Sequence, residues 1–136
     1  MQVERVNILT RAGASLGNVG EYAQALPHLL EAERLAGEQR DLGQQIDALR
    51  VQSYCLYQMD RWDEVIAIEA KWRALEKRYP DFFRLIWGSC FQVALNASVY
   101  ARRGQGERAR RLREESLAIM LEVDGSQERF GRDSYY

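Results

Sequence analysis

The side chains that could act as a base or a nucleophile do not form a recognisable catalytic set. His28 is the sole histidine, and it lies in a leucine-rich segment without a Ser, Cys or acidic residue at the spacing of a catalytic motif. Cys55 and Cys90 are separated by 34 residues and form neither a CxxC pair nor a framework of short spacings. We therefore predict no metal site, and we expect a reducing compartment, the cytoplasm, as the setting.

Phosphate chemistry and acid catalysis are not indicated either. The segment GASLGNVG, residues 13–20, is rich in glycine, but no strand pattern precedes it and it lacks the Gly-Lys-Ser/Thr ending of a phosphate-binding loop. Carboxylates such as Glu31, Glu33 and Asp60 fall on helix faces and turns that we expect to be exposed to water. The sequence therefore predicts a chain that is not an enzyme and that has no cofactor.

A run of arginines is the second chemically distinctive feature. Residues 102–113 contain six arginines against one acid, Glu107, which gives a local charge of +5. The six are Arg102, Arg103, Arg108, Arg110, Arg111 and Arg113. One interpretation is a solvated helix face that pairs with neighbouring acids, and the other is a surface for an acidic partner or RNA. Because no aromatic residue lies within the run to stack on bases, nucleic-acid binding ranks second.

Composition restricts the elements that can position these groups. The 136 residues carry a formal net charge of −1, and 46% are hydrophobic and 29% charged, which is typical of one globular domain. Two prolines and scattered β-branched residues leave no alternating run of strand length. The N-terminus lacks the apolar core of a signal peptide, and no apolar stretch approaches the ~18 residues of a membrane span. We predict an all-α protein without membrane attachment.

Apolar residues recur at intervals of three and four in six successive segments, which predicts six amphipathic helices. The first, with Val6, Leu9 and Leu16 on one face, is predicted to end near Asn18. Gly37 is predicted to end the second helix, since glycine is common just after a helix.

Three turns divide the six helices into three hairpins. Aligning the turns at Gly20, Asp60 and Gly104 also aligns the helices on either side, with offsets of 40 and 44 residues. Asp41 is predicted to cap the third helix. We predict hairpins at about residues 3–40, 41–79 and 81–124, within one repeat domain of residues 1–124. A recurring period of this size is typical of a solenoid.

The order of large, small and aromatic residues in the first hairpin carries a family resemblance. Those residues are Leu9, Ala12, Gly13, Leu16, Gly20, Tyr22, Ala25, Leu26, Leu29 and Ala32. They resemble the tetratricopeptide repeat (TPR), in which small residues, here Gly13, Ser53 and Ala97, stand where two helices approach closely. The resemblance implies a right-handed superhelical α-solenoid of three helix-turn-helix hairpins. The periods exceed the roughly 34 residues usual in this family, so we expect longer helices.

The third hairpin departs furthest from the TPR pattern. It places Gly106, Arg110 and Arg113 where aromatic or apolar residues are expected, so its second helix is predicted to be rotated or rebuilt. Long-period arrays of this kind look like segments of bacterial signalling and transcription-regulatory proteins. The resemblance therefore implies a fragment of such a protein as one context.

The first helix of each hairpin is expected to line a shared concave surface. By helical phase, that surface displays Asn7, Thr10, Ala14, Asp47, Arg50, Tyr54, Tyr57, Gln58, Phe91, Ser98 and Arg102. Arg50, Tyr54 and Tyr57 fall at i, i+4 and i+7, and Arg and Tyr are residue types that often dominate interface energetics. The competing interpretation is that these tyrosines belong to the core or to the rim of a groove.

We therefore predict a protein-interaction scaffold that binds an extended or helical peptide in its groove. In the TPR domains that grip chaperone tails, a basic and asparagine clamp occupies slots that here hold Thr10, Ala14, Val51, Phe91 and Leu95. A chaperone tail is therefore a poor candidate. The alternatives are binding of nucleic acid or an acidic partner through the arginine run, and self-association.

The last helix needs an additional cover. Residues 117–123 are apolar at six of seven positions, which is too wide a face for a helix that packs on one side only. Residues 125–136 are predicted to form a C-terminal tail or the start of a capping helix. Three covers remain open: this tail, a second copy in a homodimer through the C-terminal helix, or further repeats of a longer array.

Overall fold

The computed structural model describes the backbone of residues 2–83 and 87–135, and the side chains of residues 4–83 and 92–122. Every regular element in these ranges is a helix. The helices are α1 (Gln2–Asn18), α2 (Tyr22–Glu38), α3 (Leu42–Gln58), α4 (Trp62–Arg78), α5 (Pro80–Phe83), α6 (Trp87–Arg102) and α7 (Gly106–Tyr135). The predicted all-α class is confirmed, and the four-residue α5 is an addition to the six predicted helices.

The four turns between consecutive long helices share one geometry. Helices α1 to α4 are each 17 residues long, and three-residue connections join them, which explains the offset of 40 residues. In each turn the backbone amide of the third connecting residue donates to the carbonyl five positions earlier, at 2.8 to 2.9 Å. This bond satisfies a carbonyl that the end of the helix would otherwise leave without a partner. The middle residues have positive φ: Gly20 (85°), Arg40 (56°), Asp60 (58°) and Gly104 (77°).

Two boundary predictions can be compared directly with these turns. Asp41 does cap α3, because its carboxylate oxygen accepts a hydrogen bond from the backbone amide of Gln44 at 3.1 Å. The prediction that Gly37 ends the second helix was wrong. Gly37 lies within α2, which continues to Glu38, and the residue that adopts the left-handed conformation is Arg40.

Arg40 offers a simple stability test. An L-residue in the left-handed region costs roughly 1–2 kcal/mol, and the extra freedom of glycine in the unfolded chain offsets part of what Arg40→Gly would recover. We expect a net stabilisation of about 0.5–1 kcal/mol, measured by chemical denaturation. Gly20→Ala, at a turn residue with φ of 85°, should have the opposite sign. A loss of stability in Arg40→Gly would contradict this account of the turn.

The chain forms two compact units, Met1–Ile68 and Glu69–Tyr136. In the first unit, α2 packs against both α1 and α3. Gly13 of α1 makes this packing close, because a Cβ atom there would lie 2.5 Å from the Leu29 side chain. The buried amide of Gln52 donates to the Leu29 carbonyl at 3.3 Å and to the Glu33 carboxylate at 2.9 Å, which ties α3 to α2. Around these contacts lie Val6, Ala25, Ala32, Leu35, Ala36, Ala48, Val51 and Cys55.

In the second unit, α6 packs along α7. The buried Trp72 ring meets Phe83 edge to face, with 5.6 Å between ring centroids. Arg73 donates to both carboxylate oxygens of Glu115 in α7, at 2.6 and 3.1 Å, and this contact raises the pKa of Arg73. A charged contact thus joins α4 to α7. Helix α7 has 30 residues, and residues 125–135, which were predicted as a tail or the start of a capping helix, belong to it.

Candidate functional site

A surface pocket of about 350 Å³ lies between α1 and α3 in the first unit. Its lining residues are Ala14, Asn18, Arg50, Val51 and Tyr54. Ala14 and Asn18 are one helical turn apart on α1, and Arg50 and Tyr54 are one turn apart on α3, so each helix presents one face to the pocket. Because α1 and α3 begin successive hairpins and are in contact, the pocket is built by the first helices of neighbouring repeats.

Tyr54 forms an aromatic wall that the core supports from behind. Its side chain is 41% exposed, and its ring meets that of Tyr22 edge to face at a centroid distance of 6.0 Å. Tyr22 in turn packs against the buried cluster that contains Leu29 and Cys55. The adjacent Tyr54 phenol, assisted by desolvation, raises the pKa of Tyr22. The wall is held in place, which limits the entropy that a ligand must overcome on binding.

Arg50 places a guanidinium with little internal engagement at the edge of the pocket. Its nearest acid is Asp47, at 4.0 Å, and its side chain is 48% exposed. Arg34 differs, since Glu31 and Glu38 each contact its guanidinium at 2.5 Å. Within the described part of the chain, Arg50 makes no contact with a carboxylate as short as those of Arg34. Its donors can therefore bind a carbonyl or carboxylate oxygen on a ligand.

The other groove residues predicted in the first unit do not line this pocket. Thr10 is buried, and its hydroxyl donates to the Val6 carbonyl at 3.0 Å. Asn7 and Tyr57 are half-buried, and Asp47 and Gln58 are exposed. The pocket thus combines Arg50 and Tyr54 from the predicted set with Ala14, which the same helical phase had indicated.

The predicted groove residues of the third hairpin belong to the second unit. Ser98 is half-buried, and its hydroxyl donates to the Ala94 carbonyl at 3.2 Å. Arg102 is exposed. The side chain of Phe91 lies outside the described residues.

All six residues of the arginine run are exposed, and Arg108 and Arg110 make contacts inside the second unit. Arg110 pairs with Glu107 and Glu114 on the same helix, and its guanidinium lowers the pKa of Glu107. The Arg108 guanidinium lies over the Tyr100 ring, 4.0 Å from its centroid. Part of the local charge is therefore neutralised or engaged within the protein itself.

Three residues that shape the pocket were absent from the predicted site. Asn18 was assigned only to the end of the first helix, Val51 to a position that the clamp occupies in chaperone-binding TPR domains, and Tyr22 to the repeat pattern of the second helix. The spacing from Ala14 to Asn18 was a usable signal, since residues four apart share a helix face. No local signal indicated that Tyr22 would support Tyr54 from another helix.

Other kinds of site are not formed by the described residues. No three His, Cys, Asp or Glu side chains among them converge in a way that could hold a metal ion. Cys55 is a free, buried thiol whose burial raises its pKa, which disfavours the reactive thiolate. No helix in the described ranges combines the length and hydropathy required to cross a membrane.

Comparison with known proteins identifies the fold. No family model matches the sequence, and no curated protein sequence matches it. The structure is similar to the crystal structure of the TPR domain of Arabidopsis FLU, with a TM-score of 0.80 and 18% sequence identity, over 89% of this chain and 98% of that domain. The chain is therefore an all-α protein with a TPR-like fold of helical hairpins.

Proposed function

We propose that the chain binds a polypeptide segment of a partner protein in the pocket between α1 and α3. One observation carries this proposal: an exposed Tyr54, supported from behind by Tyr22, shares a pocket with the weakly engaged guanidinium of Arg50. Tyr and Arg side chains supply much of the binding energy at protein interfaces. In stacked helical repeats, surfaces of this kind bind extended partners.

The lining indicates the chemistry of the bound segment. A pocket of about 350 Å³ lies near the lower end of the roughly 300–1,000 Å³ range of ligand sites, so it fits one or two side chains. Ala14, Val51 and the Tyr54 ring form an apolar floor and wall for an apolar or aromatic side chain. Asn18 and Arg50 supply donors at the rim for carbonyl or carboxylate oxygens of the same segment.

The proposal is tested by measuring how Tyr54→Ala changes the affinity of this chain for a partner that is isolated from the native host. The partner is captured on the wild-type chain, identified, and titrated by calorimetry against each variant. We expect Tyr54→Ala to weaken binding about 10- to 100-fold, because truncation of a central interface aromatic typically costs about 1.4–3 kcal/mol. Arg50→Gln should also weaken binding, because it removes the charge and the forked donors.

Tyr79→Ala is the matched control. Tyr79 is 40% exposed, close to the 41% of Tyr54, but it lies in the second unit. It should therefore leave the dissociation constant unchanged. Circular dichroism of all variants should retain the helical signal. Equal affinities of the wild type and Tyr54→Ala for the isolated partner would reject this pocket as the binding site.

Nucleic-acid or acidic-partner binding through the arginine run has weaker support. Arg110 is paired with two acids. Arg108 covers the ring of Tyr100, which is the aromatic residue nearest to the run in the sequence. Base stacking by single strands relies on accessible aromatic faces. The buried free thiol of Cys55 fits a reducing, cytoplasmic setting for the proposed interaction.

A further inference from the structure

The Tyr54 ring keeps an uncovered face in the pocket between α1 and α3. Tyr22 meets this ring edge to face, at an interplanar angle of 75°, and one partner in that geometry covers at most one face of a ring. In the described part of the chain, no other ring and no guanidinium lies against Tyr54. Because Tyr54 lines the pocket and is exposed, a face of its ring is available to a bound residue.

The guanidinium of Arg50 is also available for stacking. In the second unit, the Arg108 guanidinium lies over the Tyr100 ring, 4.0 Å from its centroid. Arg50 is one helical turn from Tyr54 and lines the same pocket. Within the described residues, however, its guanidinium does not lie over an aromatic ring, and its nearest acid is Asp47 at 4.0 Å. Arg50 therefore presents a planar cation that the protein itself leaves unstacked.

Electrostatic complementarity favours an aromatic side chain over an aliphatic one in this pocket. The face of an aromatic ring is negative and attracts a cation, whereas its edge is positive and packs against the face of another ring. An aliphatic side chain offers neither charge. The cavity of about 350 Å³ has room for one ring that contacts both Tyr54 and Arg50. Such a ring would use the open face of each.

We infer that the pocket binds an aromatic side chain of the partner segment, between the Tyr54 ring and the Arg50 guanidinium. This inference rests on the proposed function and specifies the residue type by which the segment is anchored. Ala14 and Val51 form the apolar floor beneath the bound ring, and Asn18 stays at the rim for polar groups of the segment. Aliphatic side chains enter the same space but gain only from the burial of apolar area.

The test compares two small probes that differ in ring saturation alone. N-acetyl-phenylalanine amide and N-acetyl-cyclohexylalanine amide are titrated into the full chain, and the backbone amide signals of Ala14, Asn18 and Val51 are followed by NMR. We expect the phenylalanine probe to bind more tightly by about fivefold or more. This factor corresponds to one ring pair and one cation–π contact at the lower end of their usual strengths.

Variants assign the preference to the two side chains. Tyr54→Leu keeps an apolar wall without a ring, so the affinity for the phenylalanine probe should fall towards that for the cyclohexyl probe. Arg50→Gln should weaken binding of the phenylalanine probe by about two- to fivefold. Arg5→Gln is the matched control, because Arg5 is exposed and lies nine residues before Ala14, on the opposite face of α1. It should leave both affinities unchanged.

Three results would overturn the inference. The first is a cyclohexyl probe that binds as tightly as the phenylalanine probe, because the pocket then responds to apolar area alone. The second is a preference for phenylalanine that survives in Tyr54→Leu, and the third is the absence of shifts at the pocket residues with either probe. The comparison of the two probes on the wild type needs no variant, so it holds even if Tyr54→Leu folds poorly.

Failure of this inference is distinguishable from failure of the proposed function. If Tyr54→Ala weakens binding of the isolated partner but the probes show no preference for the aromatic ring, the pocket binds the segment through an aliphatic residue. If the probes show the preference while the partner binds Tyr54→Ala as tightly as the wild type, the pocket accepts aromatic rings but is not the binding site of that partner.

Discussion

Leu29→Ala is expected to destabilise the protein by about 2–5 kcal/mol, the usual cost of truncating a fully buried leucine. Leu29 is 0% exposed and lies where α1, α2 and α3 meet. Its side chain faces Gly13 of α1, its carbonyl accepts from Gln52 of α3, and it packs in one cluster with Val51 and Cys55. Loss of this side chain opens a cavity that three helices border. Leu30→Ala, one residue away and exposed, should have little effect by comparison.

The same site makes a sharper prediction as a double-mutant cycle. Gly13→Ala alone should cost about 1–3 kcal/mol through overpacking, since its Cβ would lie 2.5 Å from Leu29 side-chain atoms. In the Leu29→Ala background that space is free. The same substitution should then stabilise α1 by about 0.5–1 kcal/mol, because alanine is a better helix former than glycine.

The measurement is urea denaturation of the wild type, the two single variants and the double variant, followed by circular dichroism. The expected signature is a change of sign in the effect of Gly13→Ala between the two backgrounds. Additive effects would mean that the α1–α2 distance does not depend on the contact between Gly13 and Leu29. The small residue of the repeat pattern would then need a different explanation.

The sequence predicted those parts of the fold that depend on local signals. The helix faces follow from the three-and-four spacing of apolar residues, and the turns at Gly20, Asp60 and Gly104 from residues suited to a helix end. Arg40 escaped prediction because arginine has no preference for positive φ. Its conformation follows from its place between two 17-residue helices that must reverse direction in three residues.

Helical periodicity allowed only those residues of the candidate site that share a face of one helix to be predicted. Arg50 and Tyr54 lie four residues apart on one helix, so their common face could be deduced from spacing. The contribution of Asn18 depends on which turn of α1 lies beside α3, and the support from Tyr22 depends on a third helix. Such pairings are set by packing between helices, and a single sequence carries no direct record of them.

The third hairpin shows the same limit. Gly106, Arg110 and Arg113 led to the prediction that its second helix is rotated or rebuilt, because they occupy positions that are apolar or aromatic in the repeat pattern. The repeat pattern also did not indicate the pairing of Arg73 with Glu115, at 2.6 and 3.1 Å. These residues are 42 positions apart, and their attraction becomes visible only when α4 and α7 are placed side by side.

Two substitutions of Trp72 separate the contribution of its aromatic packing from the cost of its buried indole N–H group. Its side chain is 1% exposed and contacts Phe83 edge to face, so Trp72→Ala should cost about 3–5 kcal/mol. Trp72→Phe should stay within about 1 kcal/mol of the wild type, for a specific reason. The indole Nε1 is buried without a hydrogen-bond partner in the described part of the chain, and an unsatisfied buried donor costs about 1–3 kcal/mol.

Phenylalanine removes that donor while it keeps an aromatic ring against Phe83, so the gain offsets the smaller apolar area. Thermal and chemical denaturation of the two variants give the comparison. If Trp72→Phe proves as destabilising as Trp72→Ala, the indole nitrogen contributes a favourable interaction, such as a bond to an internal water. If both variants unfold near the wild-type midpoint, the edge-to-face pair between α4 and α5 adds little to the stability of the second unit.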